Sequence, residues 1–182
     1  NGDALALPLG EVDGVFVDPA RRNARGRTFN PADYSPPFDE VLNIRKTVPA
    51  LGVKVAPGIA HADLPTDVHA QWVSVEGDLV EAGLWFGALA PGPGRSALVI
   101  KGGQTRQLTA TTDPTAPVIP MRAMPLRRYL YEPDGAVIRA GALEPLAEIL
   151  DGAPVSERIA YLSSDTLVQT PLATAFEVVD VL

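Results

Sequence analysis

Val12-Asp13-Gly14-Val15-Phe16-Val17-Asp18-Pro19 is an apolar run that ends in an acid and a proline. Short, β-branched and closed by a proline that cannot donate to a ladder, it reads as a buried parallel strand. Gly52-Val53-Lys54-Val55-Ala56-Pro57-Gly58 repeats the pattern and predicts a second strand. Between them, Arg21–Pro37 is polar and carries Gly26, Pro31, Pro36 and Pro37, which predicts a long loop of the kind usually reserved for function. Phe38–Leu51 has apolar residues at 38, 41, 42, 44, 48 and 51, near helical spacing. A helix is expected there, capped at Asp39 and ended or kinked by Pro49. Strand, loop, helix and strand make a βαβ unit, hence a parallel pair joined by a crossover.

Outward from that unit the chain reads as strands and turns. Gln71–Val75 is strand-like, and Glu76-Gly77-Asp78 is a turn. Leu79–Leu89 and Arg95–Lys101 predict two strands joined through Pro91-Gly92-Pro93-Gly94. Thr109–Pro117 lacks apolar periodicity and is read as a linker between residues 1–117 and 118–182. In the second unit Arg127–Glu132, Arg158–Ser163 and Phe176–Leu182 predict strands. Gly135–Leu150 predicts an amphipathic helix, with Pro145 as an expected start or kink. The expected architecture is α/β for the first unit and α+β for the smaller second one, packed together. No internal repeat is visible.

Composition narrows the function. Of 182 residues, 46% are hydrophobic and 20% charged, which excludes a wholly disordered chain. There are 16 Gly and 18 Pro, above the roughly 12% expected of the two together, so turns are many and long helices few. Cysteine is absent, which excludes disulfides, thiolate catalysis and Cys-ligated zinc. Asn1–Gly10 has neither a basic start nor an apolar core of a leader, and with the missing cysteines this fits the cytoplasm. The net charge of −7 argues against a general nucleic-acid-binding surface. The charge is uneven, however. Arg21, Arg22, Arg25, Arg27, Arg45, Lys46 and Lys54 stand against Asp33, Asp39 and Glu40 between residues 21 and 54, a local basic stretch suited to phosphates.

The chemistry concentrates at the end of the first strand. In an open parallel sheet, ligands sit outside the carboxyl ends of the strands. Asp18 stands at such an end and offers a carboxylate and a carbonyl to an amino group. Pro19 fixes the turn. Arg21 and Arg22 lead into the basic loop, where they can meet phosphates. Tyr34 and Phe29 are the aromatic residues of that loop able to hold an unstacked base. Other signals read more plainly. His61-Ala62-Asp63 and Asp67-Val68-His69 are loop polarity rather than a metal site, Gly102-Gly103-Gln104 is a turn, and Trp72 and Trp85 are core.

Gly2-Asp3-Ala4, Asp18-Pro19-Ala20-Arg21-Arg22, Tyr129-Leu130-Tyr131-Glu132-Pro133-Asp134-Gly135 with the following Ala136–Gly141, and Ala160-Tyr161-Leu162-Ser163-Ser164 occur in that order. Together they resemble class I S-adenosylmethionine-dependent methyltransferases of the branch with a C-terminal THUMP-like domain. The resemblance implies the C-terminal half of a Rossmann-like methyltransferase sheet over residues 1–117 and a THUMP-like α+β domain over 118–182. It implies S-adenosylmethionine as cofactor, with Asp3 and its neighbour Ala4 at the adenine. It implies Asp18 and Pro19 as the catalytic pair, Arg21, Arg22 and Tyr34 on the substrate, and RNA as the substrate class. The sequence departs from the commoner family motif at Ala20, and Arg21 stands where many amino-methylases have an aromatic. A glycine-rich cofactor loop and the acidic ribose-binding residue are not found, so the chain is expected to be the C-terminal portion of a larger enzyme, inactive alone. Without cysteine, the covalent route to C5-methylated pyrimidines is closed, and N- or O-methylation remains. On this reading Val12–Val17 has one unpaired edge, through which self-association is possible. The alternative reading is a non-catalytic interaction module.

Overall fold

The computed structural model describes residues 4–20, 22–23, 26–27 and 33–180. Strand β1 is Val15–Val17. It is shorter than Val12–Val17 because Val12 N–H closes a 3-10 turn on Leu9 O, and the first ladder bond is Val15 N–H to Ala50 O at 2.9 Å. A short antiparallel pair follows, β2 (Arg22–Asn23) with β3 (Gly26–Arg27).

Helix α1 is Phe38–Asn43, continued as a 3-10 turn over Ile44–Lys46. The helix ends before Pro49, as expected of that proline. A helical Pro49 would clash with the carbonyl four residues back, so the last turn tightens before it. Its cap is Pro37, with no side-chain cap bond. Asp39 lies inside the first turn, where its charge faces the positive helix end, and is not the expected cap.

The second strand, β4, is Leu51–Val55 and pairs parallel with β1: Val15 with Leu51, Phe16 with Gly52, Val17 with Val53. The βαβ expectation holds. Next come β5 (His69–Val75) and β6 (Asp78–Trp85), joined by Glu76 and Gly77 at φ 51° and 91°. Two consecutive positive φ values are what a tight hairpin turn needs to match strand twist. Strand β7 (Gly94–Lys101) runs parallel to β5, and β8 (Gln104–Thr111) returns antiparallel to β7 through Gly102-Gly103. The sheet order is β1-β4-β6-β5-β7-β8. Two expectations need correction here. Residues 79–89 and 95–101 are not neighbours, because β6 inserts between β4 and β5 and the Pro91–Gly94 segment carries the chain past β5. Thr109–Thr111 belong to β8, so the linker begins only after them.

The remainder holds β9 (Tyr129–Pro133), α2 (Gly135–Ala140), α3 (Leu143–Leu150), β10 (Ala153–Pro154), β11 (Leu162–Ser164) and β12 (Ala173–Glu177). These strands form a second sheet in the order β10-β11-β9-β12. The single helix expected over 135–150 is two, broken by Gly141 at φ 74°. Asp134 caps α2 by accepting from Ala136 N–H at 2.8 Å. Pro145 sits in the first turn of α3, where its missing N–H would have had no partner within the helix.

One core joins the two sheets. Val53, Val55, Trp72, Leu84 and Val99 of the large sheet share a cluster with Tyr131, Val137, Leu146 and Leu150. Helix α2 packs on β5 and β7, and α3 on β8. Each fully buried Leu or Val contributes about 1.5–3 kcal/mol. The opposite face of the large sheet, read by alternation from Phe16, Gly52, Lys54, Gly83 and Trp85, has no helix among the described residues. Phe16 is 57% exposed there. Beyond β1, no further strand of the described residues pairs with this sheet.

Gly94 tests the crossover. At φ 146° it lies where a side chain is strained, and an added Cβ would fall 2.3 Å from Thr111 O. Gly94→Ala is expected to destabilise by about 2 kcal/mol or more, lowering Tm by roughly 5 °C or more in a thermal melt.

Candidate functional site

Asp18 leaves β1 on the uncovered face, in line with Phe16. Its Oδ2 accepts from Lys54 Nζ at 2.7 Å. Lys54 is the fourth residue of β4, and its Nζ also lies 3.8 Å from Glu81 Oε2 on β6. Three adjacent strands thus contribute one charged side chain each, in the order carboxylate, ammonium, carboxylate. Asp18 remains half exposed, at 51%. Pro19 is buried, which anchors the turn on which Asp18 sits.

The loop after Pro19 is closed at its base. Ala20 N–H donates to Ser35 O at 2.8 Å and Ser35 N–H to Ala20 O at 3.0 Å. Tyr34, expected to offer its ring to a substrate, is instead buried at 3% exposure. Its hydroxyl accepts from Ala56 N–H at 3.2 Å, taking up a donor left free where β4 ends. The bridge at Ala20 and Ser35 turns Tyr34 inward, so it braces the two strand ends and presents no face to a base. Trp72 Nε1–H bonds Pro57 O at 2.9 Å and holds the same segment from the core side.

Other sequence-predicted positions fall differently. Asp3, Arg21 and Phe29 lie outside the described residues. Ala4 opens a 3-10 turn over Ala4–Ala6, and Arg22 is placed in β2 by its backbone.

Sequence reasoning missed Lys54, Glu81 and the exposure of Trp85. Trp72 is core as expected, whereas Trp85 is half-buried and its ring centroid lies 5.9 Å from that of Phe16. Gly52 makes this possible: a Cβ there would meet both rings, at 2.7 and 2.8 Å. The available signal was alternation, because Gly52 and Lys54 share one face of a strand whose other face is Leu51, Val53 and Val55.

The histidine pair is engaged elsewhere. His61 Nε2 is 2.7 Å from Arg139 O, and its ring meets Trp72 edge-on. His69 Nε2 is 2.8 Å from Ser96 Oγ. Burial lowers the pKa of both rings below the ordinary 6.5, and for His61 the charges of Arg95 and Arg139 add to it.

Two proteins of Mycobacterium tuberculosis, from strains CDC 1551 / Oshkosh and ATCC 25618 / H37Rv, are 33% identical to the chain over 170 residues, 91% of it. Each is described as an uncharacterized S-adenosylmethionine-dependent methyltransferase. The chain spans 45% of their length. A crystal structure of a "putative methyltransferase" from Porphyromonas gingivalis W83 matches with a TM-score of 0.66 at 19% identity, over 92% of this chain and 43% of that one. That likeness shows a shared fold along nearly the whole chain. No protein-family model matches.

Two outcomes follow for stability. The Asp18–Lys54 pair is partly exposed, at 51% and 27%, so Asp18→Asn and Lys54→Met should each change unfolding free energy by less than about 1 kcal/mol in urea. For the histidines, the unfolded chain takes up protons near pH 6.5 and the folded chain only at lower pH. Stability is therefore full above 6.5 and declines as pH falls from there toward the folded-state values. The double variant His61→Gln, His69→Gln should flatten this slope in urea midpoints measured between about pH 5 and 7.5. Asp113, held low by hydrogen bonds from Thr115, acts only in the carboxylate range and leaves that window unchanged.

Proposed function

We infer that this chain is the C-terminal portion of an S-adenosylmethionine-dependent methyltransferase acting on an amino or hydroxyl group of RNA. The observation that carries the reading is the placement of Asp18 at the carboxyl end of β1, on a rigid Pro19 turn, with its carboxylate fixed by Lys54. The identity to the mycobacterial relatives and the fold shared with the Porphyromonas protein support it. Residues 118–182 are assigned to a THUMP-like unit.

The residues present fit the acceptor side of such a site. A half-exposed carboxylate at a strand end can accept from a substrate amine or hydroxyl. Lys54 orients that carboxylate by holding its Oδ2. Pro19 holds the turn still, so the contribution is one of positioning. Arg21 and Arg22 are assigned to substrate phosphates, and Asp3 with Ala4 to the cofactor adenine. When bound, S-adenosylmethionine supplies an electrophilic methyl group. Tyr34, being buried, is reassigned from substrate contact to bracing the site floor. The uncovered sheet face and the free edge of β1 are assigned to the rest of the parent protein, or to a second copy when that part is missing.

Calorimetric titration of S-adenosylmethionine into the full-length protein tests the reading. Saturable binding is expected there and no turnover from the 182-residue chain alone. Absence of binding to the full-length protein would leave the interaction-module reading. In the full-length enzyme Asp18→Ala should lower kcat about 100-fold with little loss of stability. A variant that unfolds but keeps specific activity in its folded fraction would reduce Asp18 to a strand-ending turn.

A further inference from the structure

Strand β8 closes one end of the large sheet, and among the described residues no strand pairs with its outer edge. The hairpin with β7 decides which backbone groups lie on that edge. Gly102 and Gly103, at φ 57° and 73°, make a two-residue turn, so Lys101 and Gln104 exchange both bonds across it. The next pair, Ile100 with Thr105, exchanges none, and Ile100 O accepts instead from Glu76 N–H at 2.8 Å on the other side of β7. By alternation Gln104, Arg106 and Leu108 bond to β7, while Thr105, Gln107 and Thr109 turn their N–H and C=O groups outward. Ser96 pairs with Thr109 and Arg95 with Thr111, so the bulge falls at Ala110 and residues 104–109 stay regular.

Gln104, Thr105, Arg106, Gln107 and Thr109 are all exposed. Native sheets blunt a long edge with proline, lysine or a bulge. Residues 104–109 hold none of these, and Arg106 is their one charge. The other free edges offer less. Strand β1 has three residues, Met124 N–H covers β10 by bonding Pro154 O at 2.8 Å, and β12 opens on buried Ala173.

The β8 edge is complementary to itself. About a two-fold axis at Gln107, antiparallel pairing sets Thr105 against Thr109 of the partner subunit and Gln107 against Gln107 of the partner subunit, with about six main-chain bonds. Leu108 belongs to the core, so by alternation Thr105, Gln107 and Thr109 share the opposite face. Threonine pairs are favourable cross-strand neighbours. Arg106 falls opposite Leu108 of the partner subunit, so no like charges are directly opposed.

We propose that β8 is a dimer interface at which a second copy of this chain continues the large sheet across a two-fold axis. Because β8 meets only β8, the assembly closes at two copies. The axis stands perpendicular to the sheet, so both copies present Phe16, Trp85 and the Asp18–Lys54–Glu81 row on the same side. At ~4.8 Å per strand, the two β1 strands lie roughly 50 Å apart along the joined sheet. This interface is independent of the methyltransferase reading.

Sedimentation velocity of the full-length protein over about a hundredfold range of concentration provides the test. A reversible dimer is expected. Gln107→Pro removes an outward donor, leaves the bonds to β7 in place, and should weaken dimerisation about tenfold or more. The double variant Thr105→Lys, Thr109→Lys opposes like charges in two cross-strand pairs and should weaken it similarly. Thr105→Lys with Thr109→Glu opposes unlike charges and should restore the dimer to within about threefold of the unaltered protein. Both charge variants change exposed positions, so they decide the matter even where Gln107→Pro fails to fold. A monomer over the whole range, a dimer undiminished by the double lysine variant, or no recovery with the lysine–glutamate variant would overturn the proposal. Growth into larger species, unaffected by these changes, would place the contact at β1 and overturn it as well.

Discussion

The parallel register of Val15–Val17 on Leu51–Val55 is the constraint from which the rest follows. A parallel pair cannot be closed by a tight turn, so the chain must leave the sheet between its members. Here that excursion holds the basic loop and α1. The same register places Asp18 beside Lys54, and with β6 alongside, Glu81 completes the row. The charged row is thus a product of strand order. Had β5 paired with β4 directly, Glu81 would stand one strand further away.

The second consequence is the division of labour between the two faces of the sheet. Leu51, Val53 and Val55 point to the core shared with α2 and α3. Gly52 and Lys54, on the same strand, point the other way. Glycine at 52 lets Phe16 and Trp85 meet across it, which makes that face flat and apolar next to a charged row. The smaller sheet and its helices cover only the first face, where Tyr131, Val137, Leu146, Leu150 and Leu172 join the core of the large sheet.

How much of this could be read from the sequence depends on the range of the interactions. The βαβ unit, the Glu76-Gly77 turn and the Gly102-Gly103 turn were legible, because β-branched runs and paired positive-φ residues act locally. The insertion of β6 between β4 and β5 was not, since strand order is decided by packing between segments far apart in the chain. The stop before Pro49 was legible because a proline acts locally, whereas the break at Gly141 was not, since apolar spacing continued past it. At the site, Asp18 and Pro19 were visible from the strand-ending motif. Lys54 and Glu81 were not, because only the folded register brings them to Asp18. Tyr34 was visible as a residue and misread in role, since the bond pair between Ala20 and Ser35 that turns it inward has no sequence signal.

That bond pair has a further consequence. Because Ala20 and Ser35 are bonded to each other, the end of β1 and the approach to α1 are joined at the base of the loop. Loop length enters the free energy of closing such a segment only logarithmically. A change in the number of residues between 21 and 33 therefore costs little, while Asp18, Pro19 and the Tyr34 hydroxyl are held from outside that stretch.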